Sequence, residues 1–261
     1  MKRLIIVAAG LALLASTAWA NHSWGTYHWA RTTSTFTVTL VDSAATSEWD
    51  TALQSASNDP DPVKLDWSYS SVLDTVVTAG AIDKRTRQRC VAPTGQVRVC
   101  NYTYGNNGWL GIAGIYLSGD HITKGYVKLN DTYFNTSTYN TPSWRSLVTC
   151  QEIGHTLGLH HQDEAYGPPN LGTCMDYTND PDGGGAYLLK NVSPNQHDFD
   201  QLASIYAHTD GTTTIASSTA ALPGRAKPFS QASRANGSVY VDHLPGGVTQ
   251  VTHVFWTPPG E

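Results

Sequence analysis

Gln151, Glu152, His155 and His161 are the residues of this chain whose types and spacing could do chemistry. On a helix running from about Pro142 to Leu157, Gln151 and His155 stand four apart and share a face, with Glu152 one step round. Gly158 can take a positive φ and end that helix. A turn there swings His161 back beside His155, whereas a continued helix would carry it to the far side. Two imidazoles with a carboxylate beside them suit hydrolysis by a metal-activated water. Glu152 then serves as general base and afterwards as acid toward the leaving amine. Gln151 is either an oxygen ligand, poorer for zinc than an imidazole nitrogen, or a hydrogen-bond partner of the water.

The same run resembles the metzincin zinc-protease signature, HExxHxxGxxH followed by a Met-turn. Gln151, Glu152, His155, Gly158 and His161 fall on its positions, and Cys174-Met175-Asp176-Tyr177 is the Met-turn candidate. The departure is Gln151, where the family has histidine; a QExxHxxGxxH variant occurs in the gametolysin-like branch. Losing that imidazole costs at least about 1.4–2.7 kcal/mol of metal affinity. The resemblance implies Gln151, His155 and His161 as ligands of Zn2+, with Cu2+ as the alternative for a mixed N,O set. His160 and Asp163 are the rivals for the last ligand position. Met175 would floor the metal, and Tyr177 would either donate to the oxyanion or pack beside the turn. The implied fold is α+β: a twisted five-stranded mixed sheet, the active-site helix, the Met-turn and a C-terminal helix. In that family the substrate lies as an added strand on the sheet's edge above the cleft. The segment Gly111, Ile112, Ala113 and Gly114 is the candidate here; the plainer reading is an edge strand kinked for packing.

Several elements must position these residues. Thr35–Val41 alternates as a half-buried strand, and Ser47–Ala56 is an amphipathic helix with Ser47 as N-cap. Val63–Trp67 reads as a second strand, giving a β-α-β start. Lys84–Arg89 reads as a solvated basic loop. Strands are expected over Val97–Tyr104, Trp109–Leu117 and Ile122–Asn130, then a polar loop over Asp131–Thr141. A helix from Ser193 to about Ala207 would be capped by Ser193, with Pro194 at its first position. Asn21–Arg31 is either a short latency peptide carrying His22 and His28 or an arm packed on the surface.

Composition sets the setting. Residues 1–20 read as an export signal: Lys2 and Arg3, the apolar run Leu4–Leu14, and Ala18-Trp19-Ala20 before a cut near Ala20–Asn21. Removing them leaves 14 basic against 21 acidic residues, a net charge of −7, which argues against a nucleic-acid partner. No apolar run is long enough to span a bilayer. Four cysteines in an exported chain favour disulfides. Cys90 and Cys100 flank a turn sequence, which pairs them locally and leaves Cys150–Cys174 to tie the helix to the Met-turn.

Residues 21–208 are thus expected to form the metallopeptidase domain, 209–225 a Ser/Thr/Ala-rich linker and 226–261 a small β-hairpin extension. The expected protein is a secreted or periplasmic monomer. It would cleave internal bonds of extended proteins or peptides. The rival is a catalytically impaired protein of the same fold that acts by metal or protein binding because of Gln151.

Overall fold

The computed structural model describes residues 22–215 and 237–260. The expected signal, most of the linker and the start of the C-terminal extension lie outside these residues. In chain order the elements are β1 (His28–Trp29), β2 (Phe36–Ser43), α1 (Ser47–Ser57), β3 (Leu73–Ala79), α2 (Lys84–Arg89), β4 (Val97–Tyr102), β5 (Trp109–Ser118) and β6 (His121–Asn130). Then follow α3 (Asp131–Phe134), α4 (Pro142–Thr156), α5 (Gln196–Ile205), β7 (Val239–Leu244) and β8 (Val248–Trp256).

The fold is mixed α/β, with one eight-stranded sheet in place of the expected five strands. Its order is β3-β2-β4-β6-β5-β8-β7, with β1 pairing the first two residues of β6. β3, β2, β4 and β6 run parallel, while β5, β8 and β7 continue antiparallel. The extra strands are β1 and the hairpin β7–β8. The hairpin forms as its Leu-Pro-Gly-Gly turn predicts, but a lone hairpin is barely stable. It solves this by extending the sheet: β8 pairs with β5 from Trp109 to Ser118. β5 is therefore an interior strand, not an edge.

Helices α1 and α4 pack together on one face of the sheet. The main core there buries Trp29, Leu40, Trp49, Leu53, Trp67, Leu147 and Ile153. A smaller cluster holds the Cys90–Cys100 disulfide with Trp109, Ile112, Tyr126, Val254 and Trp256. Both expected disulfides are present.

Several local expectations are corrected. Val63–Trp67 is not a strand: Val63 is exposed in a turn, and Trp67 begins a one-turn 3₁₀ helix capped by Asp66. The partner of β2 is instead β3, ten residues later, where Leu73 and Thr75 point inward. Lys84–Arg89 forms a helical turn because the Asp83 carboxylate accepts from the Arg85 and Thr86 amides. Part of the polar loop after β6 becomes α3, capped by Asn130. Thr46, not Ser47, precedes α1. Asn195, not Ser193, caps α5 through a capping box with Asp198. Finally, the N-terminal arm is not a surface arm. His22, His28, Trp29, Ala30 and Arg31 are all buried, and Trp29 Nε1 donates to the Thr156 carbonyl at 2.9 Å.

Candidate metal site and the strand that covers it

Helix α4 starts at Pro142 with the Thr141 hydroxyl accepting from the Trp144 amide, and it stops where the sequence says it must. Leu157 caps it, and Gly158 has φ +102°. A Cβ at Gly158 would stand 2.5 Å from the Tyr27 carbonyl oxygen, so both backbone and space require glycine. The turn returns His161 to His155, and their Nε2 atoms lie 2.9 Å apart.

The other ring nitrogens decide what this contact means. His155 Nδ1 is 2.9 Å from the Leu159 carbonyl, an acceptor only, so Nδ1 carries the proton. His161 Nδ1 is 2.7 Å from Glu164 Oε1. The bond to His161 holds the Glu164 carboxyl down at about 2, so it accepts as a carboxylate. Each imidazole, when neutral, therefore turns a bare Nε2 lone pair toward the other. Two lone pairs 2.9 Å apart repel unless a cation sits with them, and outward Nδ1–H bonds to carbonyl and carboxylate are how metal-binding histidines are oriented. The donor set fits a metal ion.

Beside this pair the polar groups lack partners. Gln151 Nε2 donates to the Cys174 carbonyl at 2.7 Å, leaving Oε1 buried and without a hydrogen bond. Both Glu152 oxygens are buried without a hydrogen bond of normal geometry. Burial drives the Glu152 carboxyl well above its ordinary range, against the opposing pull of the Ala113 amide. Burial likewise pushes His155 well below the usual histidine value. Gly111 gives Glu152 its place, since a Cβ there would stand 2.6 Å from Oε1 and 2.5 Å from Val148 Cγ1. Gly114 does the same for the Tyr126 ring. Close approach is thus the reason for glycines in β5.

The Met-turn candidate is held beneath α4. Cys174 is bonded to Cys150, and Met175 is fully buried against Gly154, where a Cβ would meet its sulfur at 2.5 Å. The Tyr177 ring packs on His161 with centroids 4.6 Å apart. His160 Nδ1 accepts from the His161 amide at 2.7 Å, burial pushes its pKa down to about 4, and its ring meets His161 and Glu164 in a second cluster of possible ligand atoms. Asp163 is engaged elsewhere, bridging to Asp176 and accepting from the Ala165 amide. His22 stacks on His197 and bonds the His160 carbonyl, so it does not serve as a latency ligand.

Two residues at the site escaped the sequence reading. Glu164 carries no spacing signal. His253 does: strand alternation puts Val251, His253 and Phe255 on one face of β8, and a histidine among buried apolar neighbours is conspicuous. Its ring stacks on His155 at 3.8 Å between centroids and 9° between planes, and its Nε2 is buried without a partner. The tail is bound to the site by three further contacts. Tyr177 Oη donates to the Val254 carbonyl at 3.1 Å. Tyr166 Oη donates to the Trp256 carbonyl at 2.8 Å, and Ser238 Oγ to Glu164 at 2.7 Å. Gln151, Glu152, His155 and His161 are accordingly all buried.

No protein-family model matches this chain, and no curated protein is significantly similar to it. Among the described residues no helix is long and apolar enough to cross a membrane. The two disulfides agree with an oxidising compartment.

Proposed function

We propose that the chain is a secreted metal-dependent endopeptidase of metzincin type. His155 and His161 hold the metal, and Gln151 adds its amide oxygen. The observation that carries this reading is the pair of Nε2 lone pairs 2.9 Å apart, each fixed by its outward Nδ1–H bond. A zinc ion held there, or copper in its place, would supply Lewis acidity and an activated water. Glu152, close enough to β5 to require Gly111, stands as the general base and acid that would hold a proton between nucleophile and leaving amine. Tyr177 supports the carbonyl: its hydroxyl already donates to a strand carbonyl, that of Val254, and the same donor would steady the oxyanion. An extended substrate would lie along β5 at Gly111–Gly114 in the place that β8 takes in this structure.

The test is cleavage of an unfolded protein by the mature chain, with and without chelator, beside Glu152→Ala. Chelator-sensitive cleavage that the substitution removes supports the enzyme. Folded, metal-loaded protein that cleaves nothing, even once β8 has been loosened, sinks it. A binding protein is the second reading, favoured by Gln151 and by the tail over β5. Under it, Gln151→His would raise metal affinity without conferring cleavage.

A further inference from the structure

We propose a second metal site, separate from the first, formed by His28, His121 and Asp210, with His208 beside them. Asp210 Oδ1 lies 3.3 Å from His28 Nε2, 3.4 Å from His121 Nε2 and 3.6 Å from His208 Nε2. His208 Nε2 is 3.2 Å from His28 Nε2. Ligands of a tetrahedral zinc with bonds of about 2.0–2.2 Å stand roughly 3.3–3.5 Å apart, so these separations are those of a metal's donor atoms. The ligand atoms of His28, His121 and Asp210 converge as a triad, with His208 closing on the His28 side.

Hydrogen bonding again points a lone pair inward, that of His28. His28 Nδ1 donates to the Thr26 carbonyl at 2.6 Å, which leaves Nε2 bare in the neutral ring. That lone pair faces a carboxylate oxygen and a second imidazole. Asp210 Oδ2 is occupied by the Arg31 amide at 2.9 Å, so Oδ1 is the oxygen left for a cation. An access route exists: His28 and His208 line a surface cavity with Thr26, Asp120 and Gln201. The site lies at the far end of β6 from the first. Six residues separate His121 from Val127, the partner of Ala113, and at about 3.3 Å per residue that is roughly 20 Å. The ion is structural, because its ligands come from three separate parts of the chain. It clips the N-terminal arm to the start of β6 and to the chain after α5. A zinc-like ion is the cargo, given nitrogen donors with one carboxylate.

The test isolates this site by removing the other. In the mature chain carrying His155→Ala and His161→Ala, bound Zn2+ is counted after dialysis, and Co2+ is added as a spectroscopic probe. One ion per chain is expected. Adding Asp210→Asn should weaken binding at least ten-fold, and so should His121→Ala, whose ring is partly exposed and whose loss is mild. Zn2+ should raise the melting temperature of the first protein and leave those of the further variants unmoved. No ion in a folded His155→Ala/His161→Ala chain overturns the site and leaves a hydrogen-bonded histidine cluster around Asp210.

A second proposal rests on strand pairing, and on the peptidase reading of the first site. We infer that β7–β8 is an inhibitory hairpin occupying the substrate's place. It adds to β5 antiparallel, sets His253 opposite Ala113 and against His155, and gives Tyr177 a backbone carbonyl to bind. Thr252→Pro in the full mature chain removes a ladder donor and should raise cleavage of an unfolded protein at least ten-fold. A synthetic peptide of residues 248–256, followed by its tryptophan fluorescence, should bind this variant and restore inhibition. Peptide that neither binds nor inhibits an active variant overturns the inhibitory role and leaves the peptidase standing. Peptide that binds a metal-loaded variant unable to cleave ends the peptidase reading and shows β5 to be an ordinary strand groove.

Discussion

The two histidine clusters of this molecule use similar donors for different ends. At His155 and His161 the carboxylate facing the histidines, Glu164, lies on the outside holding Nδ1, while the second carboxylate, Glu152, is buried with only the Ala113 amide near it. Around Asp210 the carboxylate lies inside, within 3.6 Å of three imidazoles, and its other oxygen is bonded. An unpaired buried acid costs folding energy, and a protein retains such a cost at a place where chemistry uses it. On the readings proposed above, the first cluster would be a reactive arrangement and the second a fastening. The first is also sealed by the chain itself, while His121 and His208 keep half-exposed rings.

The sharpest way to break the comparison is Glu152→Ala. Cleavage should fall by about 10²–10⁴-fold, the usual worth of a general base, with metal content unchanged at both clusters; equal loss in an Asp210→Asn chain would erase the distinction. Next comes the Cys150–Cys174 bridge, which fastens α4 to the Met-turn across 24 residues of sequence. Replacing both cysteines by serine should cost about 2–4 kcal/mol in denaturant unfolding. It should loosen metal at the first cluster and spare the second. Gly111→Ala follows, because its methyl would intrude on Val148 and on the Glu152 carboxylate. A loss of about 1–3 kcal/mol is expected, with cleavage reduced more than stability.

The smallest effect sets the pH background for both clusters. Burial lowers the Lys128 ammonium to about 8. From pH 8 toward its unfolded value near 10.5 the unfolded chain holds more protons, so stability should rise with pH, by about 1–3 kcal/mol at most. Urea melts at pH 7.5 and 9.5 read this directly, and Lys128→Met should flatten the difference.

How much could be read beforehand follows from the range of the interactions. Helix α4, its end at Gly158 and the return of His161 are encoded within twenty residues, and all three are as expected. So are the two disulfides, because turn residues and elimination left one pairing. β3 was missed because Val63–Trp67 offered a stronger apolar run, whereas Leu73–Ala79 mixes threonine and aspartate and shows its inward face only once paired with β2. The cluster around Asp210 was not legible: its residues come from positions 28, 121, 208 and 210, with no spacing to connect them. The docking of β8 was half legible. Its strand and turn were plain, and its partner was not, since pairing across the chain is chosen by the whole sheet.

One consequence of that pairing concerns time. Trp256 meets Trp109 across 147 positions of sequence, and β8 stands between β5 and β7 in the sheet. Contacts of such long range are paid for in loop-closure entropy before they return anything, and they slow folding. Until β8 arrives, β5 offers a row of open amides and carbonyls to any extended chain it meets. Any chain in which β8 has not yet docked would leave that edge bare beside His155 and Glu152, and docking of the hairpin closes the edge and covers the histidines in one step.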